Sequence, residues 1–182
     1  DALRGTDVKT GAVIGFPDGD ASAAANAAEA EAAIREGVDE IDLMMNVPAM
    51  LRGDFVRVRD DLNHVVKTIR ARAVNDSRGL ILIKVVIAAG RLEDERLIRM
   101  ACRIVDGLGV DYAMSGTVQD AADVEHIELM RDALSEGVGV KAAGKIESLV
   151  VAEDLVNAGA TRLGTGAAVT ILQEMIARDS AG

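Results

Sequence analysis

The chain has 182 residues, a net charge of −10 and a pI of about 4.7, with 49% hydrophobic and 27% charged residues. That length suffices for one domain with a sizeable core. The acidity excludes a basic nucleic-acid or anionic-membrane surface, and aromatics at 2% leave no platform for base stacking.

Short apolar runs alternate with longer segments of helical period. In chain order the predicted strands are GAVIGF (11–16), EIDLMMNV (40–47), GLILIKVVIAA (79–89), VDYAMS (110–115), GVGVKAAG (137–144) and TRLGTG (161–166). Between them, ASAAANAAEAEAAIRE, DFVRVRDDLNHVVKTIRARA, DERLIRMACRIVDG, VEHIELMRDALSE and SLVVAEDLVNA repeat apolar residues every three or four positions, as helices do. VTILQEMIAR is the last helix. Gly37-Val38, Gly109-Val110, Gly137-Val138 and Gly159-Ala160 read as helix ends leading into strands, glycine taking the left-handed position. Six strand–helix units without a linker predict one domain over 1–182, a parallel sheet covered by helices. A barrel is favoured over an open sheet. No G-x-G-x-x-G turn follows the first strand, and polar residues recur within strands, where a barrel interior has room for them.

Charges interrupt strands that otherwise suit burial. Asp42 breaks EI-D-LMM, Lys84 breaks ILI-K-VVI, and Lys141 ends GVGV. A buried ammonium is tolerated only when paired or near water. Five lysines stand against fifteen arginines, and three of the five (Lys84, Lys141, Lys145) lie in or just after strands. Together they predict a polar site at the carboxyl ends of the strands, where parallel barrels keep their chemistry. The plainer alternative is a structural Asp42–Lys84 pair with two solvated lysines.

Other chemistries find little support. Cys102 sits in the helical stretch RLIRMACRIV and reads as core. His64 and His126 fall in helical segments without the spacing of a zinc site, so no metal is expected. No Ser-His-Asp arrangement is legible. No signal peptide or membrane-spanning run is visible, which predicts a cytoplasmic protein.

VIGFPDG (13–19), EIDLMMNVPAML-x-GD (40–54), LIKVVIAAG (82–90), VDYAMSGT (110–117), VGVKAAGK (138–145) and NAGATRLGTG (157–166) occur in an order and spacing that resemble the deoxyribose-phosphate aldolases along essentially the whole chain. The resemblance implies a (β/α)₈ TIM barrel, here lacking its first two strand–helix units. DALRGTDVKTG then resembles the end of the preceding helix.

It also implies roles. The family attacks an aldehyde with a strand lysine in a motif similar to D-F-V-K-T-S; Met114 stands at that position here, and a thioether forms no imine. Lys141 resembles the second lysine, Asp42 the proton-relay aspartate and Lys84 its partner, so Asp42, Lys84 and Lys141 are the candidate catalytic set. Ala88 replaces an acidic residue, and a family glycine is replaced at Val118 or its neighbour. The phosphate cradle, similar to A-S-G-G-I and G-T-S-S, reads Ala142-Ala143-Gly144-Lys145-Ile146 and Gly164-Thr165-Gly166-Ala167. Met114, Ser115, Thr117, Gly144, Lys145, Gly164, Thr165 and Gly166 are therefore the candidate substrate-binding residues. Lys145 either supplies charge to an anion, fills the cradle, or points to solvent.

Three functions follow from the resemblance. The first is repurposed carbonyl chemistry on a small aldehyde or phosphorylated sugar, with no cofactor. The second is an inactive binding subunit. The third is the aldolase reaction on 2-deoxyribose 5-phosphate with a relocated lysine. A homo-oligomer is expected from resemblance alone.

Overall fold

Ser22 starts the first long helix and Gly37 stops it, the local code that recurs along the chain in this computed structural model. The structure describes residues 3, 5–75, 79–117 and 120–181. They form six strands alternating with helices and divide into two compact units, residues 1–85 and 86–182.

In the first unit the strands are β1 (Gly11–Ile14), β2 (Glu40–Met44) and β3 (Leu82–Val86), neighbours in that order. β1 runs parallel to β2, with Gly11 opposite Glu40 and Val13 opposite Asp42. Helix α1 (Ala23–Glu36) begins where the Ser22 hydroxyl accepts from the Ala25 N–H at 3.2 Å. It ends at Gly37, whose φ of 108° is left-handed. Its buried residues, Asn26, Ala27, Ala30 and Ile34, lie on one face, and α1 packs against α3 (Phe55–Asn75). A short α2 (Val47–Leu51) follows β2, with Asn46 Oδ1 accepting from Ala49 N–H at 2.9 Å.

Strand alternation sets which residues are available to a site. Ile41 and Leu43 of β2 are buried at 0% and 1% exposure. Glu40 and Asp42, on the opposite face, are each only partly covered.

The second unit contains β4 (Tyr112–Met114), β5 (Gly139–Ala143) and β6 (Arg162–Gly164), again neighbours in order and parallel. Around them run α4 (Ala89–Leu92), α5 (Glu95–Asp106), α6 (Val124–Ala133), α7 (Leu149–Asn157) and α8 (Ala168–Ala181). α5 buries Ile98, Ala101, Cys102 and Val105, the spacing of a single apolar face. Asp94, Asp123 and Ser148 cap α5, α6 and α7 through side-chain oxygens.

α8 is unlike the others, since none of its described residues is buried. It meets α7 through polar groups. Glu174 Oε2 accepts from the Leu149 N–H at 2.6 Å, and Arg178 pairs with Glu153 at 2.6 Å. Val169, Leu172 and Ile176 are 69%, 52% and 62% exposed.

Several sequence expectations change. Every strand is shorter than its apolar run: Val47 begins α2 and Ala89 begins α4, because Asn46 caps one turn and Ala88 adopts φ 52° at the other. Gly159 has a φ of 109°, one residue past the α7 cap, and Gly109 a φ of 67°, two past that of α5. Gly137 takes no left-handed conformation, because α6 ends at Ala133 with Leu134 extended. The described part of DALRGTDVKTG is a turn rather than a helix end, closed by Thr6 N–H donating to Leu3 C=O at 3.0 Å. The glycine replacement read at Val118 or its neighbour falls outside the described residues.

Candidate active site

Lys84 is the largest charged group in the core, at 2% exposure. β3 places it on the face that β2 lines with Glu40 and Asp42. Its Nζ lies 2.7 Å from Glu40 Oε2 and 2.7 Å from Asp42 Oδ1. The two carboxylate side chains are 12% and 16% exposed. An ammonium here is compensated twice, as burial demands. The Asp42–Lys84 contact expected from the strand interruptions is present. Glu40 is the residue that sequence reasoning missed. The signal was legible: in E-I-D the two acids stand two apart, on one face of a strand.

The remaining candidates lie in the second unit. Met114 ends β4 at 7% exposure, directly opposite Lys141 of β5 in the parallel register. Lys141 is half-buried. Its side chain leans toward β6, where a Cβ built on Gly164 would lie 3.1 Å from Lys141 Cε. Ser115 is 5% exposed and tied on three sides. Its N–H donates to Lys141 C=O at 3.0 Å, its C=O accepts from Ala89 N–H at 2.7 Å, and its Oγ accepts from Ala143 N–H at 3.3 Å. Ser115 thus pins the carboxyl end of β4 to β5.

The β5–α7 turn needs glycine at 144. Its φ is 111°, and a Cβ there would fall 1.8 Å from Asp120 O. The Gly144 C=O accepts from Ala122 N–H at 2.9 Å, and Thr117 N–H reaches Asp120 Oδ2 at 3.3 Å. Gly144 therefore packs backbone against backbone. Lys145 follows at φ 51°, a left-handed position held by a lysine, and its side chain is exposed. Thr165 Oγ1 donates to Ile146 C=O at 2.5 Å and accepts from Ala167 N–H at 2.8 Å, joining the β6–α8 turn to the β5–α7 turn. Gly166 has open space around it. Arg162, the register partner of Lys141 on β6, lies over the Tyr112 ring at 5.7 Å.

The structure brings Asp42 to Lys84 in one unit, and Lys141 to Met114, Ser115 and Gly164 in the other. His64 lies in α3 and His126 in α6; no cluster of three or more His, Cys, Asp or Glu able to hold a metal occurs among the described residues. A groove of about 470 Å³ between α5 and α6, lined by Glu93, Glu95, Arg99, Glu125, His126 and Asp132, lies on the helices and carries none of the candidate residues. Cys102 is buried, and burial pushes its thiol up to about 12. It is a core residue and no nucleophile. No described helix is long and apolar enough to cross a membrane.

Known proteins of the same design fix the class. No family model matches the chain. The deoxyribose-phosphate aldolase of Streptococcus equi subsp. zooepidemicus is 40% identical over 178 residues, 97% of this chain and 76% of the relative. That of Streptococcus pneumoniae serotype 19F is 38% identical over 177 residues, 96% of this chain and 76% of the relative. Among solved structures, QR15, an aldolase, is 26% identical with a TM-score of 0.84, covering 98% of this chain and 77% of that one. The tetrameric deoxyribose phosphate aldolase of Aeropyrum pernix, 24% identical with a TM-score of 0.83 over 97% of this chain and 72% of that one, shares the fold. A parallel α/β chain with lysines on its strands and these relatives is an aldolase-like lyase. The chain belongs to the deoxyribose-phosphate aldolase family.

Proposed function

We propose that this protein makes or breaks a carbon–carbon bond next to a carbonyl, in a small aldehyde or phosphorylated sugar, without an amine at position 114. The observation that carries this reading is Met114 at the end of β4, opposite Lys141 in register, where the family resemblance implies the imine-forming lysine. Methionine offers that position an apolar wall and no nucleophile.

The charged residues support chemistry over a purely structural role. Three ionised side chains converge at Lys84, and a hydrophobic trio of similar volume would pack there at no loss of stability. Such groups suit proton transfer to and from a carbonyl. In this reading Asp42 handles protons through its contact with Lys84. Residues 1–182 act as one catalytic domain of TIM-barrel type, supported by the superposition of aldolases on 97–98% of the chain. A cytoplasmic homo-oligomer fits the acidic composition and the apolar stripe on α8.

The test is to incubate the protein with 2-deoxyribose 5-phosphate, and separately with acetaldehyde plus a phosphorylated aldehyde, and follow bond cleavage and formation by NMR. Turnover above a heat-denatured control is expected for at least one pair. No turnover in either direction, beside an active relative run as control, would replace this reading with that of a binding subunit.

A further inference from the structure

These 182 residues hold five lysines that could do what Met114 cannot, and the structure separates them. Lys9 precedes β1 and Lys67 lies on α3, both exposed and outside the strands. Lys84 is buried, with its Nζ held at 2.7 Å by each of two carboxylates. It cannot meet a carbonyl without breaking both contacts. Lys145 is exposed on a left-handed turn, outside the strands. Lys141 is on a strand, half-buried, beside the thioether wall of Met114.

We propose that Lys141 is the amine that condenses with the aldehyde, and that Gly164 is the positioning residue that seats it. This rests on the carbonyl chemistry proposed above but is tested apart from turnover. Gly164 sits on β6 opposite Ala143, two residues past the partner of Lys141. A Cβ at Gly164 would come 3.1 Å from Lys141 Cε and 3.0 Å from Ala143 Cβ. Both distances are tighter than ordinary van der Waals contact, so a Cβ at 164 makes the end of Lys141 and Ala143 Cβ give by a few tenths of an ångström. Gly164 has no left-handed φ that would explain a glycine by conformation. Space for Lys141 and Ala143 is the explanation.

The chemistry balances without a cofactor. The neutral Lys141 amine attacks the carbonyl carbon, forming a C–N bond. The nitrogen gives up its two protons in turn, the former carbonyl oxygen takes up two and leaves as water, and a C=N imine remains. Borohydride then delivers hydride to the imine carbon and traps a secondary amine on Lys141.

The experiment treats the whole protein with acetaldehyde and borohydride and measures ethylation at each lysine by peptide mass spectrometry, with Lys67 as the exposed reference. Lys141 is expected to be ethylated well above Lys67. In Gly164→Ala the Lys141:Lys67 ratio should fall about tenfold, a shift of a few tenths of an ångström acting where a full ångström costs about a hundredfold, while Lys145:Lys67 stays constant. Should G164A fold poorly, G164A/A143G relieves the Ala143 contact and keeps the Lys141 one, so the same fall is expected there. Wild-type Lys141 ethylated no more than Lys67 overturns the role of Lys141. An unchanged ratio in the folded variant overturns that of Gly164. Turnover with no adduct at Lys141 defeats this inference and leaves the proposed function standing. An adduct without turnover does the reverse.

Discussion

Replacing Lys84 by methionine isolates the most consequential interaction in the core. Methionine nearly matches the stem of lysine in length and removes the charge. Glu40 and Asp42, both of which touch Lys84 Nζ at 2.7 Å, then face each other without the cation. Breaking a buried ion pair by deleting one partner costs about 3–5 kcal/mol, mostly from the charge left behind. The carboxylates are 12% and 16% exposed, so water relieves part of this, and the lower end, about 3 kcal/mol, is expected. Urea unfolding at pH 7 would measure it. Two controls give the result its meaning. The triple variant E40Q/D42N/K84M removes the stranded charges and should regain most of the loss. Lowering the pH through the carboxylate range should also shrink the K84M deficit, because protonation neutralises the unpaired acids. A K84M protein within about 1 kcal/mol of wild type at pH 7 would refute the reasoning, since the cation would then not be compensating buried charge.

Two further outcomes follow from the same physics. Lys145 occupies φ 51°, which disfavours any side chain, so Lys145→Gly should raise stability by about 1 kcal/mol in urea unfolding; a loss would mean its side chain makes a compensating contact. Burial holds the Cys102 thiol up at about 12, against about 8.5 when unfolded. Between those values the unfolded chain binds fewer protons than the folded one, so stability should fall as pH rises from about 8.5 toward 12, and Cys102→Ala should flatten that slope. In the native state Cys102 should resist iodoacetamide at pH 8 and react on unfolding; fast native labelling would contradict its burial.

Much of this protein was legible from its residues alone. Apolar runs of six to eleven residues and three-to-four spacing between them yielded the six strands and the main helices, because burial of one face dictates those periods. Lysine and aspartate inside apolar strands marked a polar site, because an isolated charge there has no stable alternative to a partner. Gly37 at a helix end needed no structure either, since its left-handed conformation is local. The ends of the strands were less legible. Val47 and Ala89 are apolar enough for a strand, yet a cap at Asn46 and a left-handed Ala88 turn the chain into short helices.

Only tertiary structure decided which groups meet. Both Glu40 and Asp42 hold Lys84, a fact set by how β2 and β3 lie side by side, which no single strand encodes. Gly164 makes room for Lys141 because β6 runs next to β5 in one register, and a shift of one residue would turn every side chain to the other face. Periodicity is a property of one segment and can be read along it. A contact belongs to two segments, and the sequence holds it only through the packing that aligns them.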